Sequence, residues 1–210
     1  MAAASPPTPS PFDALIAACA IQVGNEHDAA ILRATEIWLE TAVIGLGLCP
    51  FAKAVHRKKQ IRYVVSNATD RETLECVLTA ELQLLHTADA QKIDTTLLIH
   101  PYVLQDFFDY NGFLQVANRI IKRQGLRGAI QLASFHPDYA FAHCASDALE
   151  NCTNRSPYPM LHLLREASIE KALATTPDAE DIYLRNIATL QALGIEGWNH
   201  LWREAAGNTR

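Results

Sequence analysis

The chain has 210 residues, a net charge of -5 at pH 7 and an apolar fraction of 49%. This composition is typical of a globular protein with one sizeable core and argues against a disordered or fibrous chain. Lysine and arginine are spread along the sequence, so we predict no basic stripe that would neutralise several phosphates and no nucleic-acid partner.

The five cysteines are odd in number, scattered and without a CxxC pair, which indicates free thiols in a reducing compartment. Residues 1–11 lack the features of a targeting sequence, and no stretch approaches the roughly 18 uninterrupted apolar residues of a membrane span. We therefore expect a cytoplasmic protein that has no membrane partner.

The first long predicted element is a helix that follows a proline-rich segment. Residues 1–24 have a composition that cannot offset the entropy cost of ordering, so we expect a flexible segment with at most a short helix. Apolar residues at helical spacing then predict a helix from Asn25 to Gly45 or Gly47, where the Cys49-Pro50 pair prevents its continuation.

Three strands with helices between them are predicted over the middle of the chain. β-Branched residues predict a strand at 61–65, and a capping box at 69–72 begins the following helix. Further strands are predicted at 95–99 and 128–135, with a helix at 103–124 between them. Strands that alternate with helices of this length imply parallel βαβ connections.

The last third of the chain is predicted to be a loop followed by helices. Residues 136–159 form a long polar and aromatic connection, and helices are expected at 160–174, 178–193 and 198–206. The predicted fold is α/β, with a small, mainly parallel sheet of about three core strands, an N-terminal helix and a helical C-terminal third. We expect one domain over residues 25–206 and a short tail after it.

Two predicted strands end in the same way, each with a histidine followed by a proline. His100 follows the strand at 95–99, and His136 follows the strand at 128–135. Ligands bind outside the carboxyl ends of strands in open parallel sheets, so both imidazoles are expected at the mouth of a pocket if these strands are neighbours. The alternative is that proline ends each strand and the histidine only hydrogen-bonds the turn.

The loop after the third strand contains polar side chains that could bind an anion. Asn154, Arg155 and Ser156 precede a predicted helix, and a helix N-terminus beside a guanidinium suits an anionic group. The same residues could instead form a helix cap beside a solvated arginine. Both interpretations stay open at this point.

Two further groups are spaced as neighbours on predicted helices. His162, Arg165 and Glu166 fall at i, i+3 and i+4, where they would line the same pocket or form ordinary ion pairs. Asp106 and Asp109 could form a carboxylate pair for a metal or for acid–base chemistry. The helix dipole alone would also explain these two aspartates.

Cys49 follows a predicted helix end, with Lys53 and His56 close along the chain. These cations could lower the pKa of the thiol, which would then act as a nucleophile or a metal ligand. A lone cysteine between apolar neighbours is more often part of the packing. No glycine-rich phosphate loop, nucleophile elbow or zinc-protease motif is present.

Five distinctive strings lie along the chain: LGLCPFAK, TLLIHP, QDFFDYNGF, SFHPDYAFA and NRSPYPMLHLLREASIE, at 46–53, 96–101, 105–113, 134–142 and 154–170. Together they resemble a family of mostly bacterial proteins known as domain of unknown function fourteen-fifteen. The resemblance covers about residues 30–193. It implies membership of that family, which has no established activity, and it transfers no catalytic residue and no cofactor.

The function predicted from these residues is that of a small-molecule enzyme with a pocket at the carboxyl ends of the strands. We expect His136 to be a general base or a metal ligand, oriented by Asp138 or by a backbone group, with Tyr139 as the third catalytic residue. An anionic ligand would be bound by Arg155 together with other polar residues, namely His100, Asn154, Tyr158 and Arg165.

Two other hypotheses belong to different classes of protein. One is a metal or haem binding protein without catalysis, in which His100, His136 and Cys49 or His162 are ligands. The other is a module whose polar loop docks a partner protein. The sequence leaves the cofactor, the metal and the oligomeric state open.

Overall fold

The computed structural model describes residues 26–174 and 181–202. The predicted flexible segment at 1–24, the tail at 207–210 and parts of the last two predicted helices lie outside the described residues. The boundaries of the single domain, 25–206, therefore stay a prediction.

Helices and strands alternate through most of the described chain. In chain order the elements are α1 (Glu26–Trp38), a π-helix (Leu39–Ile44), α2 (Ala52–Arg57), β1 (Ile61–Val65), α3 (Arg71–Thr87), β2 (Thr95–Ile99), α4 (Phe107–Arg123), β3 (Ile130–Phe135), a 3₁₀ helix (Leu149–Asn154), β4 (Met160–Arg165), α5 (Glu166–Ala174) and α6 (Ile182–Trp202). The strands β1 and β2 have the predicted bounds. β3 begins two residues later than predicted, and α4 begins four residues later.

Four strands form one mixed sheet in the order β1-β2-β4-β3. β1 and β2 are parallel, and β4 is antiparallel to both of its neighbours, β2 and β3. β1, β2 and β3 therefore point in the same direction, although β4 separates β2 from β3. The predicted α/β class is confirmed. The expectation of a mainly parallel, three-stranded sheet needs correction, because the fourth strand makes two of the three strand pairs antiparallel.

The segment Met160–Arg165 is a strand, where the sequence predicts the start of a helix. Leu161 and Leu163 pack with the helices on one face of the sheet, whereas Met160 packs on the other face. This alternation has the period of two that defines a strand, and an apolar run this short fits either period. Pairing with β2 on one side and with β3 on the other stabilises the strand conformation of this segment. The C-terminal third is therefore not wholly helical.

Two hydrophobic clusters lie on opposite faces of the sheet. One contains Val64 and Leu98 from the sheet and packs them against α3 and α4. The other contains Val65 and Leu97 and packs them against α1, the π-helix and α6. Because the side chains of a strand alternate, one sheet supplies both clusters, and each fully buried aliphatic side chain contributes roughly 1.5–3 kcal/mol. The described chain thus forms three layers, with the sheet in the middle.

The helix caps differ slightly from the predicted ones. Asp70, and not Thr69, is the N-cap of α3, because its carboxylate accepts a hydrogen bond from the Thr73 N–H at 2.8 Å. Asp106 caps α4 in the same way and accepts from the Asp109 N–H at 3.0 Å. Asp106 is therefore a helix cap, a role that differs from both sequence interpretations of this residue, the carboxylate pair and the helix-dipole effect.

The last helix is interrupted where the glycines predict a break. Gly194 has φ 71° and ψ 169°, which lies outside the helical region and is accessible to glycine. The two predicted helices on either side of this residue are thus the two halves of α6, as far as the described residues reach.

Candidate functional site

His100 and His136 lie at the same edge of the sheet, as the strand ends predict. They follow β2 and β3, and the first residue of β4, Met160, pairs with the last residue of each of these strands. The ring of Tyr110 in α4 contacts both histidines, with centroid distances of 5.8 and 5.0 Å. Both histidines are fully buried. The imidazoles are therefore enclosed beneath the edge and are not exposed at an open mouth.

His100 is a neutral imidazole that holds the loop after its own strand. Its Nδ1 lies 3.1 Å from the Val103 carbonyl, and since a carbonyl only accepts, the proton is on Nδ1. Nε2 is then a buried acceptor that has no hydrogen-bond partner among the described residues. Burial, assisted by the nearby His136, lowers the pKa of His100 to about 4.

His136 forms hydrogen bonds through both ring nitrogens. Nδ1 accepts from the Asp138 backbone N–H at 3.0 Å, so Nε2 carries the proton and donates to the Leu104 carbonyl at 3.2 Å. The two histidines thus bind the carbonyls of consecutive residues, Val103 and Leu104. Leu104 has φ 58°, which is uncommon for a residue with a bulky side chain. The β2–α4 loop is therefore held in a strained conformation by two imidazoles.

The other two predicted catalytic residues lie next to His136. The backbone of Asp138 orients the imidazole, while its carboxylate is exposed and forms no hydrogen bond within the described part of the chain. Tyr139 is half-buried, and its ring packs against Phe107 and Phe141 with centroid distances of 5.1 and 5.0 Å. Of the two ways in which His136 was expected to be oriented, the structure shows the backbone contact.

Tyr110 connects α4 to two strands and was not a predicted site residue. Its hydroxyl donates to the Met160 carbonyl at 2.8 Å and accepts from the Phe135 N–H at 3.0 Å. Burial raises the pKa of Tyr110, so the phenol keeps its proton. Its helical spacing with Phe113 and Ala117 is the sequence signal that marks it as a core residue.

Arg155 is bound to the loop that it belongs to. Its guanidinium donates to the Tyr139 carbonyl at 3.3 Å and to the Ser146 carbonyl at 2.7 Å. The predicted anion site at a helix N-terminus beside Arg155 is wrong, because the element that begins at Met160 is a strand. Arg155 instead fixes the shape of the loop between β3 and β4.

Asn154 and Tyr158 also belong to this loop. The Asn154 amide donates to the Ser134 carbonyl at 3.0 Å, and the Asn154 carbonyl accepts from the His136 N–H at 3.1 Å. Tyr158 is half-buried, and its ring packs against the cluster formed with α1, the π-helix and α6. These contacts attach the loop to the end of β3.

The structure does not bring Arg165 to the other candidates. Because β4 is antiparallel, Met160 lies at the edge of the sheet that carries the two histidines and Arg165 lies at the opposite edge. The Arg165 guanidinium donates to three backbone carbonyls at the end of α3 and before β2, those of Leu85, Ala88 and Ile93. Its predicted helical neighbours, His162 and Glu166, therefore do not share a helix face with it.

His162 lies on the face of β4 that packs towards α1 and α6. Its Nε2 is 2.7 Å from the Thr95 hydroxyl, which itself donates to the Leu163 carbonyl at 2.6 Å, so the imidazole N–H is the donor to Thr95. Burial of the ring lowers the pKa of His162 to about 4. Like His100, this imidazole is neutral at pH 7 and takes part in the packing of the sheet.

A cavity of about 430 Å³ lies beside the carboxyl end of β3, on the opposite face of the sheet from His100 and His136. Its walls come from the π-helix, the following loop, the end of β3, the β3–β4 connection and the start of α6, and the lining residues are Val43, Leu48, Cys49, Phe135, Phe141, Thr153, Asn154, Ile182, Tyr183 and Asn186. Of the predicted site residues, Cys49 and Asn154 line it.

Most of the lining residues were not predicted from the sequence. One of them carries a recognisable signal, because Asn186 interrupts an apolar series at helical spacing formed by Ile182, Leu190 and Leu193. The Asn186 side chain donates to the Leu48 carbonyl at 2.9 Å. A polar residue on the buried face of a helix is the kind of exception that marks a special environment.

Cys49 is half-buried in the wall of this cavity, between the π-helix and α2. Burial raises the pKa of the Cys49 thiol, and hydrogen bonds from the backbone N–H groups of Phe51 and Ala52 offset part of that rise. The thiol is therefore protonated at neutral pH. Lys53 is exposed, and His56 pairs instead with Glu40 at 3.2 Å. The π-helix that precedes Cys49 is a rare element that is frequent at functional sites.

Within residues 26–174 and 181–202, no group of three or more His, Cys, Asp or Glu side chains is arranged to hold a metal ion. No helix in the same residues is long and apolar enough to cross a membrane.

Fold and site together define a mixed α/β protein of three layers with a small cavity at one end of its sheet. The chain belongs to the family described as "Protein of unknown function (DUF1415)", whose model matches residues 30–200. This match confirms the family resemblance found in the sequence. No curated protein and no solved structure matches the chain.

Proposed function

We propose that this protein binds a small molecule in the cavity beside the carboxyl end of β3. The observation that carries the proposal is the cavity itself, which has a volume of about 430 Å³. Ligand pockets in proteins have volumes of about 300–1,000 Å³ and are lined mainly by apolar and aromatic side chains with a few polar groups. The lining of this cavity fits that description, since it combines aliphatic and aromatic residues with one thiol, one threonine and two amides.

The position of the cavity also supports the proposal. Ligands in open α/β sheets bind outside the carboxyl ends of the strands, and Phe135, the last residue of β3, forms part of the wall. Asn154 connects the cavity to His136, because its backbone carbonyl accepts a hydrogen bond from the backbone N–H of His136. A ligand in the cavity would therefore be one residue away from His136.

Catalysis by His136, Asp138 and Tyr139 stays a prediction for this end of the sheet. In the described conformation, Nδ1 of His136 already accepts from the Asp138 N–H, so this bond has to open before the ring accepts a proton from a substrate. The predicted anion clamp would likewise require Arg155 to leave the carbonyls of Tyr139 and Ser146. Ligand binding in the cavity requires neither rearrangement, and we therefore propose binding as the primary function.

Ligand-observed NMR with a small panel of probes tests the proposal. The probes are indole, benzamide, benzoate and benzamidine, each of which fits within the cavity volume. The variant Cys49→Phe places a large ring in the cavity, and Cys76→Phe is the matched control, because Cys76 is a half-buried cysteine on α3 that does not line it.

We expect saturation transfer to at least one probe with the wild type and with Cys76→Phe, and none with Cys49→Phe. Thermal unfolding of each variant establishes that it is folded. The proposal is wrong if no probe gives a signal with the wild type, or if folded Cys49→Phe gives the same signals as the wild type.

A further inference from the structure

We infer that the ligand of this cavity is a neutral, mostly apolar molecule that carries one hydrogen-bonding group, such as a hydroxyl or an amide. The inference rests on the proposed function, because it names the class of molecule that the same cavity would take. It differs from the anionic ligand expected from the sequence.

The walls of the cavity are the first argument. Five of the lining residues are aliphatic or phenylalanine, namely Val43, Leu48, Phe135, Phe141 and Ile182. None of the described residues that line it is a lysine, arginine, aspartate, glutamate or histidine. An ion moved from water into such surroundings loses hydration and gains no counter-charge, which is strongly unfavourable. A neutral molecule does not carry this cost.

Arg155, the cation expected from the sequence to bind an anion, is the second argument. The Arg155 guanidinium donates to the carbonyls of Tyr139 and Ser146, so its charge is held by the β3–β4 loop. Arg155 does not belong to the described lining of the cavity. An anion in the cavity would therefore lack the bidentate partner that arginine usually provides.

Asn186 is the third argument, since it supplies a neutral polar contact. Its Nδ2 donates to the Leu48 carbonyl at 2.9 Å, which fixes the orientation of the amide. Oδ1 then has no hydrogen-bond partner within the described part of the chain and is an available acceptor in the wall. A ligand hydroxyl or amide N–H satisfies this acceptor without introducing a charge.

Alkylation of Cys49 measures which molecules enter the cavity. Iodoacetamide is neutral and iodoacetate is an anion of nearly the same size, and both react with a thiolate in the same way. The carbon–sulfur bond forms, the carbon–iodine bond breaks, iodide leaves and the thiol proton passes to the buffer. Peptide mass spectrometry gives the rate at Cys49 and, in the same sample, at Cys144, a half-buried cysteine that does not line the cavity.

We expect the ratio of the iodoacetamide rate to the iodoacetate rate to be at least about tenfold higher at Cys49 than at Cys144, which corresponds to about 1.4 kcal/mol. The variant Asn186→Lys places a cation in the wall and should lower the ratio at Cys49 towards that at Cys144. Gln191→Lys is the matched control, since it adds the same charge to an exposed position of α6, and it should leave the ratio at Cys49 unchanged.

Two results separate a failure of the inference from a failure of the proposed function. If both reagents label Cys49 with the same ratio as Cys144, the cavity is open and the inference about charge is overturned. If neither reagent labels Cys49 in the folded protein while both label it in the unfolded chain, small molecules do not enter the cavity and both proposals fall.

Discussion

Single polar atoms at the carboxyl edge of the sheet hold its loops in place. His100 and His136 come from different strands, yet they bind the carbonyls of two consecutive residues, Val103 and Leu104. Backbone in a sparsely populated region persists only where its surroundings fix it. The contacts of the two imidazoles meet that condition for Leu104, whose φ is 58°.

The hydroxyl of Tyr110 gives a direct test at the scale of one atom. Tyr110→Phe removes the donor to the Met160 carbonyl and the acceptor for the Phe135 N–H, and we expect a loss of roughly 2–4 kcal/mol in the free energy of unfolding. Urea denaturation measures the change. Tyr183→Phe is the control, because this tyrosine is 47% exposed, and it should change stability by less than about 0.5 kcal/mol. A Tyr110→Phe variant as stable as the wild type would mean that the bridge between α4 and the strands contributes nothing.

Lys59 gives a second test, because it occupies a position that suits glycine. It follows the end of α2 with φ 56°, and the bonds Lys59 N–H to His56 carbonyl and Gln60 N–H to Val55 carbonyl are those of a Schellman motif. Lys59→Gly should raise the free energy of unfolding by roughly 0.5–1 kcal/mol, since glycine removes the steric cost of this conformation.

The neighbouring residue provides the control for that substitution. Lys58 has φ -80°, in the ordinary right-handed region, so Lys58→Gly should lower the free energy of unfolding by a similar amount. Chemical denaturation of both variants decides the matter, and equal effects of the same sign would rule out the conformational explanation.

At the scale of helices and strands, the cap of α3 distinguishes two adjacent residues. Asp70→Ala removes the carboxylate that accepts the Thr73 N–H, and it should lower the free energy of unfolding by about 1 kcal/mol. Thr69→Ala alters an exposed residue outside the cap and should stay within about 0.5 kcal/mol. If thermal unfolding shows the larger loss for Thr69→Ala, the capping box predicted from the sequence would be the correct assignment after all.

The elements that local sequence determines were predicted well. β1 and β2 have strong β-branched patterns between turn residues, and their bounds are as expected. The segment Met160–Arg165 was predicted as a helix because MLHLLR is short, apolar and continuous with the helical pattern of α5. Its strand conformation depends on pairing with β2 and β3, whose residues are about 65 and 30 positions earlier in the chain. No local pattern contains that information.

The same distinction explains what could be predicted about the site. His100 and His136 were expected together if their strands are neighbours. β2 and β3 are separated by β4, but they run in the same direction, so both histidines still lie at the carboxyl ends of the strands. The cavity was not predicted, because its walls combine Val43 in the π-helix, Phe135 in β3 and Asn186 in α6. These residues come together only when the three layers pack, and that packing cannot be predicted from a single sequence. Arg165 was predicted to lie near the other site residues because Met160–Arg165 was expected to be a helix, whereas this segment is a strand.

For the molecule as a whole, the buried histidines make stability depend on pH. The pKa of His100 is about 4 in the folded protein and 6.5 in its ordinary state, so the unfolded chain binds the proton first as the pH falls. The contribution of His100 to the free energy of unfolding is therefore fully present above about pH 6.5. It is lost as the pH falls from about 6.5 to about 4, and it changes little below pH 4. The shift corresponds to about 3 kcal/mol for His100. His162, whose pKa burial also lowers to about 4, acts in the same direction.

Unfolding free energies of His100→Asn measured from pH 7 to 4 test this expectation. The variant keeps an amide donor for the Val103 carbonyl but cannot titrate, so its stability should fall less steeply than that of the wild type. His143→Asn serves as the control, because His143 is exposed, and it should keep the wild-type slope. The same slope in all three proteins would exclude His100 as a source of the pH dependence.

The position of β4 has a consequence for the order in which the protein can be built. Once the chain has been synthesised as far as Pro159, β1 and β2 can already pair, but β3 has no partner in the sheet, since the strand that joins it to β2 has not yet been made. A nascent chain at that stage would contain an incomplete sheet in which the backbone of β2 is unpaired on one side. An unpaired strand of this kind can pair with another chain and promote aggregation. Residues 160–165 pair with both β2 and β3, and they therefore join the two parts of the sheet that carry His100 and His136.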